Sequence, residues 1–517
     1  MMALMRSCHV SYLAAFILAL PLFALKDPVH TANGSVSGIA GNNPEVQVYK
    51  SIPFAAPPVG ALRWKAPKAA ASWEGVRAAD QFSPVCEQLP YPAGSIYASA
   101  AQPMREDCLY LNVWTAAKSS TEKRPVMVWI HGGALTRGSG STPTYDGESL
   151  AAKGVVLVTI NYRLGVFGFL AHPELTRESD RNASGNYGFL DQIAALEWVQ
   201  NNVAAFGGDP KSVTIFGESA GSWSVNVLVA SPLAKGLFQR AIGESGGNFG
   251  PMKKLAEVER SGAQFATSVG TGSLQALRDK PAGDLLKAAA AASFPANVDG
   301  WFLPQDVYTI FASGKQNDVP VIVGSNADEG TSLTPWPSSG TAASFTDQIK
   351  RRFGADAGGV LEIYPAPSDE EAKASHYASF RDITFGWQMR TWARLAAQTG
   401  KSKVYLYYFS HVPPGPESSR YGAFHASEIA HVFDNLKLGK RPNQEIDFKL
   451  AGMMSSYWTN FAKTGDPNGP GLPNWAAYSQ SSDTALEFGD RVKPVANSHQ
   501  AALDFWDRYF AKLRGTK

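Results

Sequence analysis

Cysteine is scarce in this chain: Cys8, Cys86 and Cys108 are the only ones among 517 residues. An excess of one charge is lacking too. Lys and Arg number 47 against 45 Asp and Glu, a formal net charge of +2, and no basic run stands out, so nucleic acid is not an expected partner. No His-Glu-x-x-His pair occurs, which leaves no sign of a metallohydrolase motif; neither a metal nor a cofactor is expected. Long apolar stretches are missing beyond the N-terminus, so no stable membrane span is expected in the mature chain. The early exception runs from Val10 to Leu25, after Arg6, and is broken by Pro21. It reads as a secretory signal peptide over residues 1–24, cut after Ala24, although Leu22 departs from the small-residue rule at the cut site. The competing reading is an uncleaved anchor. Cys8 leaves with a signal peptide, and the even pair that remains suits an oxidising compartment, whether as a bridge or as two buried thiols. The expected location is secreted or periplasmic.

The stretch Ser212–Val229, SVTIFGESAGSWSVNVLV, carries most of the information. Val213, Thr214, Ile215 and Phe216 form a short apolar, β-branched run typical of a buried strand. Gly217 and Gly221 bracket Ser219, and Ser222–Val229 can continue as a helix. A G-x-S-x-G turn between strand and helix lifts its serine above a sheet, provided the glycines leave room for the tight turn. Further strands are expected at Leu109–Thr115, Pro125–Ile130, Val155–Ile160, Val319–Ser325 and Val404–Phe409. A helix is expected over Asp191–Phe206, ended by Gly207-Gly208-Asp209-Pro210. Val46–Tyr49 reads as a strand, and the proline-rich Ser51–Trp64 as an extended segment. The segment between Cys86 and Cys108 reads as a surface flap. Residues 251–297 and 343–400 look helical, and Ala502–Leu513 fits a closing amphipathic helix. Alternating strands and helices predict an α/β fold: one large, mostly parallel central sheet flanked by helices, with long insertions, over residues 25–517.

A serine hydroxyl needs a base within reach, and the base needs an orienting acid. In this kind of fold the chain order is nucleophile, acid, histidine. Downstream of Ser219 lie His376, His411, His425, His431 and His499. His425 sits in a glycine-flanked loop after a strand and is the best placed. His376 falls in a helix and His499 is near the tail; His411 and His431 remain weaker candidates for the base and read first as structural or surface groups. For the acid, Asp328 and Glu329 both follow the strand Val319–Ser325, and spacing does not choose between them. The amides of Gly133, Ala134 and Ala220 are the expected oxyanion donors.

These residues resemble the type-B carboxylesterase family, the cholinesterase-like branch of the α/β-hydrolase fold. The resemblance rests on Glu106–Trp114 (EDCLYLNVW), His131–Ala134 (HGGA), Asn161–Leu170 (NYRLGVFGFL), Phe206–Pro210 (FGGDP) and Phe216–Gly221 (FGESAG), in family order. It implies the acid is Glu329, the base His425, and that Cys86 and Cys108 form a disulfide. Ser245 is implied to support the acid, and Glu218 is placed with it around the triad. No tryptophan lies among residues 87–107, where cholinesterases hold a quaternary ammonium by cation–π attraction, so choline esters are not expected. The function implied is a serine carboxylesterase acting on a small-molecule ester. The alternatives are a non-catalytic binding or adhesion module of the same fold and a metal-dependent hydrolase, against which the missing ligand motifs argue.

Overall fold

The computed structural model describes residues 25–92, 94–98, 100–496 and 499–515. The expected signal segment and its cut after Ala24 lie outside the described residues. Among the described residues, no helix is long and apolar enough to cross a membrane.

An 11-stranded sheet forms the frame. In chain order its strands are β1 (Ile39–Ala40), β2 (Gln47–Pro53), β3 (Tyr110–Thr115), β4 (Arg124–Ile130), β5 (Val156–Ile160) and β6 (Gly208–Glu218). They continue as β7 (Arg240–Glu244), β8 (Val321–Asn326), β9 (Val404–Phe409), β10 (Thr484–Phe488) and β11 (Val492–Ala496). Their spatial order is β11-β10-β9-β8-β7-β6-β4-β5-β3-β2-β1. From β5 through β4, β6, β7, β8 and β9 to β10 every pairing is parallel; the strands at both margins join antiparallel.

A parallel sheet covered on both faces is apolar at every position, which is why these strands read as unbroken hydrophobic runs. Along β4, Val126, Val128 and Ile130 enter one core while Met127 and Trp129 enter the other. β8 divides the same way, Val321 and Val323 against Ile322. The helix Ala220–Ala230 follows β6 and packs into the first core through Val225, Val227 and Leu228. The 20-residue helix Glu445–Thr464 covers the other face with Met454, Tyr457, Trp458 and Phe461.

Three local readings differ from the structure. The helix expected from Asp191 begins at Tyr187 and gives way at Asn202 to a 3-10 turn, Val203–Phe206. Gly207, at φ 80°, closes that turn. Gly208-Asp209-Pro210, read as a terminator, instead opens β6, because Gly208 pairs with Arg124. Finally, β2 runs on through Pro53, past a register shift between Tyr49 and Ile52; Pro53 lies at the strand's end, where a missing N–H is tolerated. Cys86 and Cys108 are bonded. Nearby, the buried Asp191 carboxylate takes the Arg163 guanidinium at 2.7 and 2.8 Å and the Arg163 amide at 3.0 Å, fixing the start of Tyr187–Asn202 against the segment after β5.

Candidate active site

Ser219 sits at the turn from β6 into Ala220–Ala230 with φ 57° and ψ −122°. A left-handed backbone at a non-glycine residue is costly, on the order of 1 kcal/mol or more. Two bonds hold it: the Ser219 amide donates to Glu244 O at 2.8 Å, and the Trp223 amide donates to Ser219 O at 2.9 Å. The flanking glycines are sterically required. A methyl group on Gly221 would lie 1.9 Å from Ile130 O, and one on Gly217 would lie 2.5 Å from the same oxygen. β4 therefore presses directly on the turn.

The loop that leaves β4 lies against the elbow. A methyl group on Gly132 would sit 2.8 Å from Glu218 O and 3.1 Å from Ser219 Cβ. Gly133, Ala134 and Leu135 all take positive φ, at 102°, 56° and 58°, and the amides of Thr136 and Arg137 both donate to Gly133 O at 3.0 Å. Among the described residues no backbone acceptor takes the amides of Gly133 or Ala134. Ala220 is the first residue of its helix, where an amide has no intrahelical acceptor. His131, at the root of the loop, stacks on Tyr162 with ring centres 4.4 Å apart, and burial pushes its imidazole down to about 4.

Glu329 opens the short helix after β8 and is fully buried. Its Oε1 accepts from the Asn326 amide at 2.9 Å, and its Oε2 lies 2.5 Å from His425 Nδ1. The neighbouring Asp328 turns elsewhere: its Oδ2 accepts from the Ala423 amide at 2.8 Å, and its own amide donates to Ala423 O at 3.0 Å. It thus ties the β8 turn to the loop carrying His425. That contact dictates Gly422, where a methyl group would lie 2.2 Å from Asp328 Oδ2.

His425, in the loop after β9, is 4% exposed. Its Nε2 lies 3.0 Å from Glu218 Oε1, the carboxylate beside the elbow serine, without the alignment of a hydrogen bond. Phe385 packs on the ring at 4.7 Å between centres. Tyr97 closes the other side: its hydroxyl donates to His425 O at 3.0 Å and is 2.7 Å from Ser332 Oγ. Tyr97 belongs to the Cys86–Cys108 segment, so that segment is not merely a surface flap; it reaches down to the histidine, and burial raises the Tyr97 phenol far above its usual range.

Ser245 is placed differently from expectation. It is fully buried at φ 54°, with its amide donating to Gly324 O at 2.8 Å, but its hydroxyl has no hydrogen-bond partner among the described residues. Glu329 takes the Asn326 amide instead. The sequence reading also missed two carboxyls. Glu244 Oε1 accepts from Trp458 Nε1 at 2.8 Å, and Glu428 Oε2 accepts from Asn326 Nδ2 at 2.5 Å. With Glu218 and Glu329 they form a cluster of four buried carboxyls. Burial, then the charges of Glu218 and Glu329, push Glu428 up to about 8. Glu218 and Glu244 are raised as well, first by burial and then by neighbouring carboxylates. Glu428 stands three residues after His425 and Glu244 directly before Ser245, so proximity to those residues was the detectable signal for both.

The other histidines lie elsewhere. His376 Nε2 faces Thr334 at 2.9 Å, and His499 contacts Arg381 and Tyr408 at 3.1 and 3.2 Å. His411 lies between Asp447 and Asp490, and His431 is buried in Ile429–Val432.

The model of the carboxylesterase family matches residues 26–506. A fumonisin B1 esterase of Sphingopyxis macrogoltabida is 37% identical over 486 residues, spanning 90% of this chain and 86% of that relative. A para-nitrobenzyl esterase of Bacillus subtilis (strain 168) is 37% identical over 476 residues, spanning 89% and 94%. Liver carboxylesterase 1 of Mus musculus is 34% identical over 542 residues, spanning 95% and 94%.

Proposed function

From the premise that the chain belongs to the carboxylesterase family and is a carboxylic ester hydrolase, we propose that it works through an acyl-enzyme on Ser219, with His425 as base and Glu329 as acid. Ser219 Oγ adds to the ester carbonyl while His425 Nε2 takes its proton. The tetrahedral adduct collapses, the carbonyl-to-alkoxide bond breaks, and His425 returns the proton to the departing alcohol. Water then repeats the attack on the acyl-enzyme and releases the acid. Glu329 holds Nδ1–H and stabilises the imidazolium, while the amides of Gly133, Ala134 and Ala220 receive the oxyanion. The observation that carries this reading is the buried 2.5 Å contact between Glu329 Oε2 and His425 Nδ1. It turns the opposite ring nitrogen toward Glu218, the residue adjoining Ser219.

The substrate is a small-molecule carboxylic ester, and the name of the Bacillus relative makes para-nitrobenzyl esters a sensible first trial. We place the enzyme outside the cytoplasm, secreted or periplasmic, as a mature chain of residues 25–517. The N-terminal apolar run and the Cys86–Cys108 bridge support this. The test is Ser219→Ala: kcat on an activated aryl ester should fall by roughly 10⁴–10⁶ while circular dichroism is unchanged. An organophosphate should label the peptide containing Ser219 and no other serine. Near-full turnover in the variant would remove Ser219 from the reaction.

A further inference from the structure

Three side chains with no part in ester chemistry converge from separate elements. His411 follows β9, His431 lies in the helix Ile429–Val432, and Asp447 occupies the first turn of Glu445–Thr464. One donor atom of each falls within 4.8 Å of the others. All are buried, with exposures of 4%, 1% and 1%. No sequence motif announces them, because the spacing between 411, 431 and 447 follows no metal-ligand pattern.

The hydrogen bonding around the two imidazoles is informative. His411 Nδ1 lies 3.0 Å from Asp490 Oδ1, and His431 Nδ1 lies 3.3 Å from Ser427 O. Metal-ligating histidines commonly hold their second nitrogen against a carboxylate or a backbone carbonyl in this way, which fixes the tautomer and aims the other lone pair. At His431 that other atom, Nε2, is buried and has no partner among the described residues, a state that native interiors avoid. His411 Nε2 is 2.7 Å from Asp447 Oδ1. Asp447 Oδ2 is already occupied, accepting from the Gln444 amide at 2.7 Å, so Oδ1 is the oxygen available to a ligand. The two rings lie 5.6 Å apart, centre to centre, at 78°. Two imidazoles sharing a tetrahedral ion at a metal–nitrogen distance of about 2.0–2.1 Å have ring centres roughly 5 Å apart.

We propose that His411 Nε2, His431 Nε2 and Asp447 Oδ1 bind one divalent transition-metal ion, zinc being the best match to two imidazoles and a carboxylate. Three protein ligands leave the fourth tetrahedral position to a water, and the site lies outside the proposed ester chemistry. In the ligated state His411 carries its proton on Nδ1, toward Asp490, and the Nε2–Asp447 hydrogen bond is replaced by two bonds to the ion. The ion joins the end of β9, the helix that follows the His425 loop, and the N-terminus of Glu445–Thr464. The proposed acyl-enzyme route uses no metal, so catalysis should persist without the ion while the contacts between the end of β9 and these two helices loosen.

The test uses tag-free full-length mature protein, stripped with chelator and dialysed against zinc. Metal content by plasma mass spectrometry and titration calorimetry should give one equivalent per chain, and cobalt(II) should give a visible absorption band. Asp490 is exposed, with 80% of its side chain accessible, so Asp490→Ala should fold normally; it should weaken zinc binding by about 10–100-fold. His431→Leu should abolish stoichiometric uptake, with kcat on an aryl ester unchanged. One equivalent bound by the wild type and weakened in either variant supports the site. Absence of uptake, or equal uptake by the wild type and both variants, overturns it.

Discussion

Two adjacent carboxyls, Asp328 and Glu329, occupy the turn after β8 and should respond in opposite ways to loss of charge. In Glu329→Gln the side chain keeps its length, and one terminal atom can still meet the Asn326 amide, as Glu329 Oε1 does at 2.9 Å. If that atom is the amide oxygen, the NH₂ group points at His425 Nδ1, where a carboxylate oxygen now sits at 2.5 Å. A donor facing Nδ1 forces the ring proton onto Nε2, the atom that must accept the Ser219 proton. The wrong tautomer and the lost imidazolium partner together should lower kcat by roughly 10³–10⁴, or about 4–5 kcal/mol of transition-state stabilisation. Asp328→Asn keeps an oxygen that can accept from the Ala423 amide, presently 2.8 Å from Oδ2. It should leave kcat within about threefold and cost about 1 kcal/mol of stability. The assay is steady-state hydrolysis of an activated aryl ester at pH 8, with thermal denaturation in parallel. The reasoning fails if Asp328→Asn is as damaging to kcat as Glu329→Gln, or if Glu329→Gln stays within tenfold of the parent.

Other consequences can be checked alongside. Replacing Cys86 and Cys108 by Ser opens a loop with a sequence separation of 22, which should cost about 3 kcal/mol in denaturant unfolding. Tyr97→Phe removes the donor to His425 O without changing the ring, so kcat should fall by about tenfold with little change in KM. Glu428 is raised from 4.5 to about 8 in the native state; the native chain therefore keeps a proton that the unfolded chain releases, and stability should fall as pH rises through that window. Glu428→Gln should flatten this slope, which amounts to at most about 1.4 kcal/mol per pH unit, as read by denaturation at pH 5 and pH 8. Gly221→Ala should lose activity and at least about 1–3 kcal/mol of stability, because its methyl group would meet Ile130 O at 1.9 Å.

How much of this was legible beforehand follows from how each feature is encoded. The interior strands were visible because both faces of a parallel sheet are buried and leave unbroken apolar runs; Val404–Phe409 matches β9 at both ends. The elbow was visible because its crowding against Ile130 can be relieved only by glycine at 217 and 221. Spacing left the choice between Asp328 and Glu329 open, because both follow the same strand; the family resemblance implied Glu329, and in the fold Asp328 turns toward Ala423 and Glu329 toward His425. Tyr97 was hidden for a similar reason: its partner, His425, lies 328 residues downstream. The stop read at Gly207-Gly208-Asp209-Pro210 holds at Gly207, which closes the turn Val203–Phe206; that Gly208-Asp209-Pro210 also begin an irregular strand was not legible, because Arg124 supplied the deciding partner.

Among the described residues eleven non-glycine residues have positive φ, and five of them stand where the chemistry is proposed. Ser219, Ala134, Leu135, Ser245 and Ala426 are non-glycine residues with positive φ. Ser219 and Ser245 end the parallel neighbours β6 and β7, Ala134 and Leu135 follow β4, and Ala426 follows His425. Each such residue costs on the order of 1–3 kcal/mol and persists only where the surroundings over-determine it. Here the surroundings are the ends of the parallel strands, which cross-link these turns: the Ser219 amide bonds to Glu244 O and the Ser245 amide to Gly324 O, each at 2.8 Å. A rigid sheet thus lends its stability to strained turns that hold amides and a hydroxyl in fixed orientations before substrate arrives, which is the condition under which electrostatic stabilisation of an oxyanion is most effective. The same argument accounts for the buried carboxyls. Glu218 and Glu244 stand at strand ends, and among the described residues no Lys or Arg pairs with either, Glu218 facing His425 and Glu244 taking Trp458 Nε1; burial and then the neighbouring carboxylates raise both.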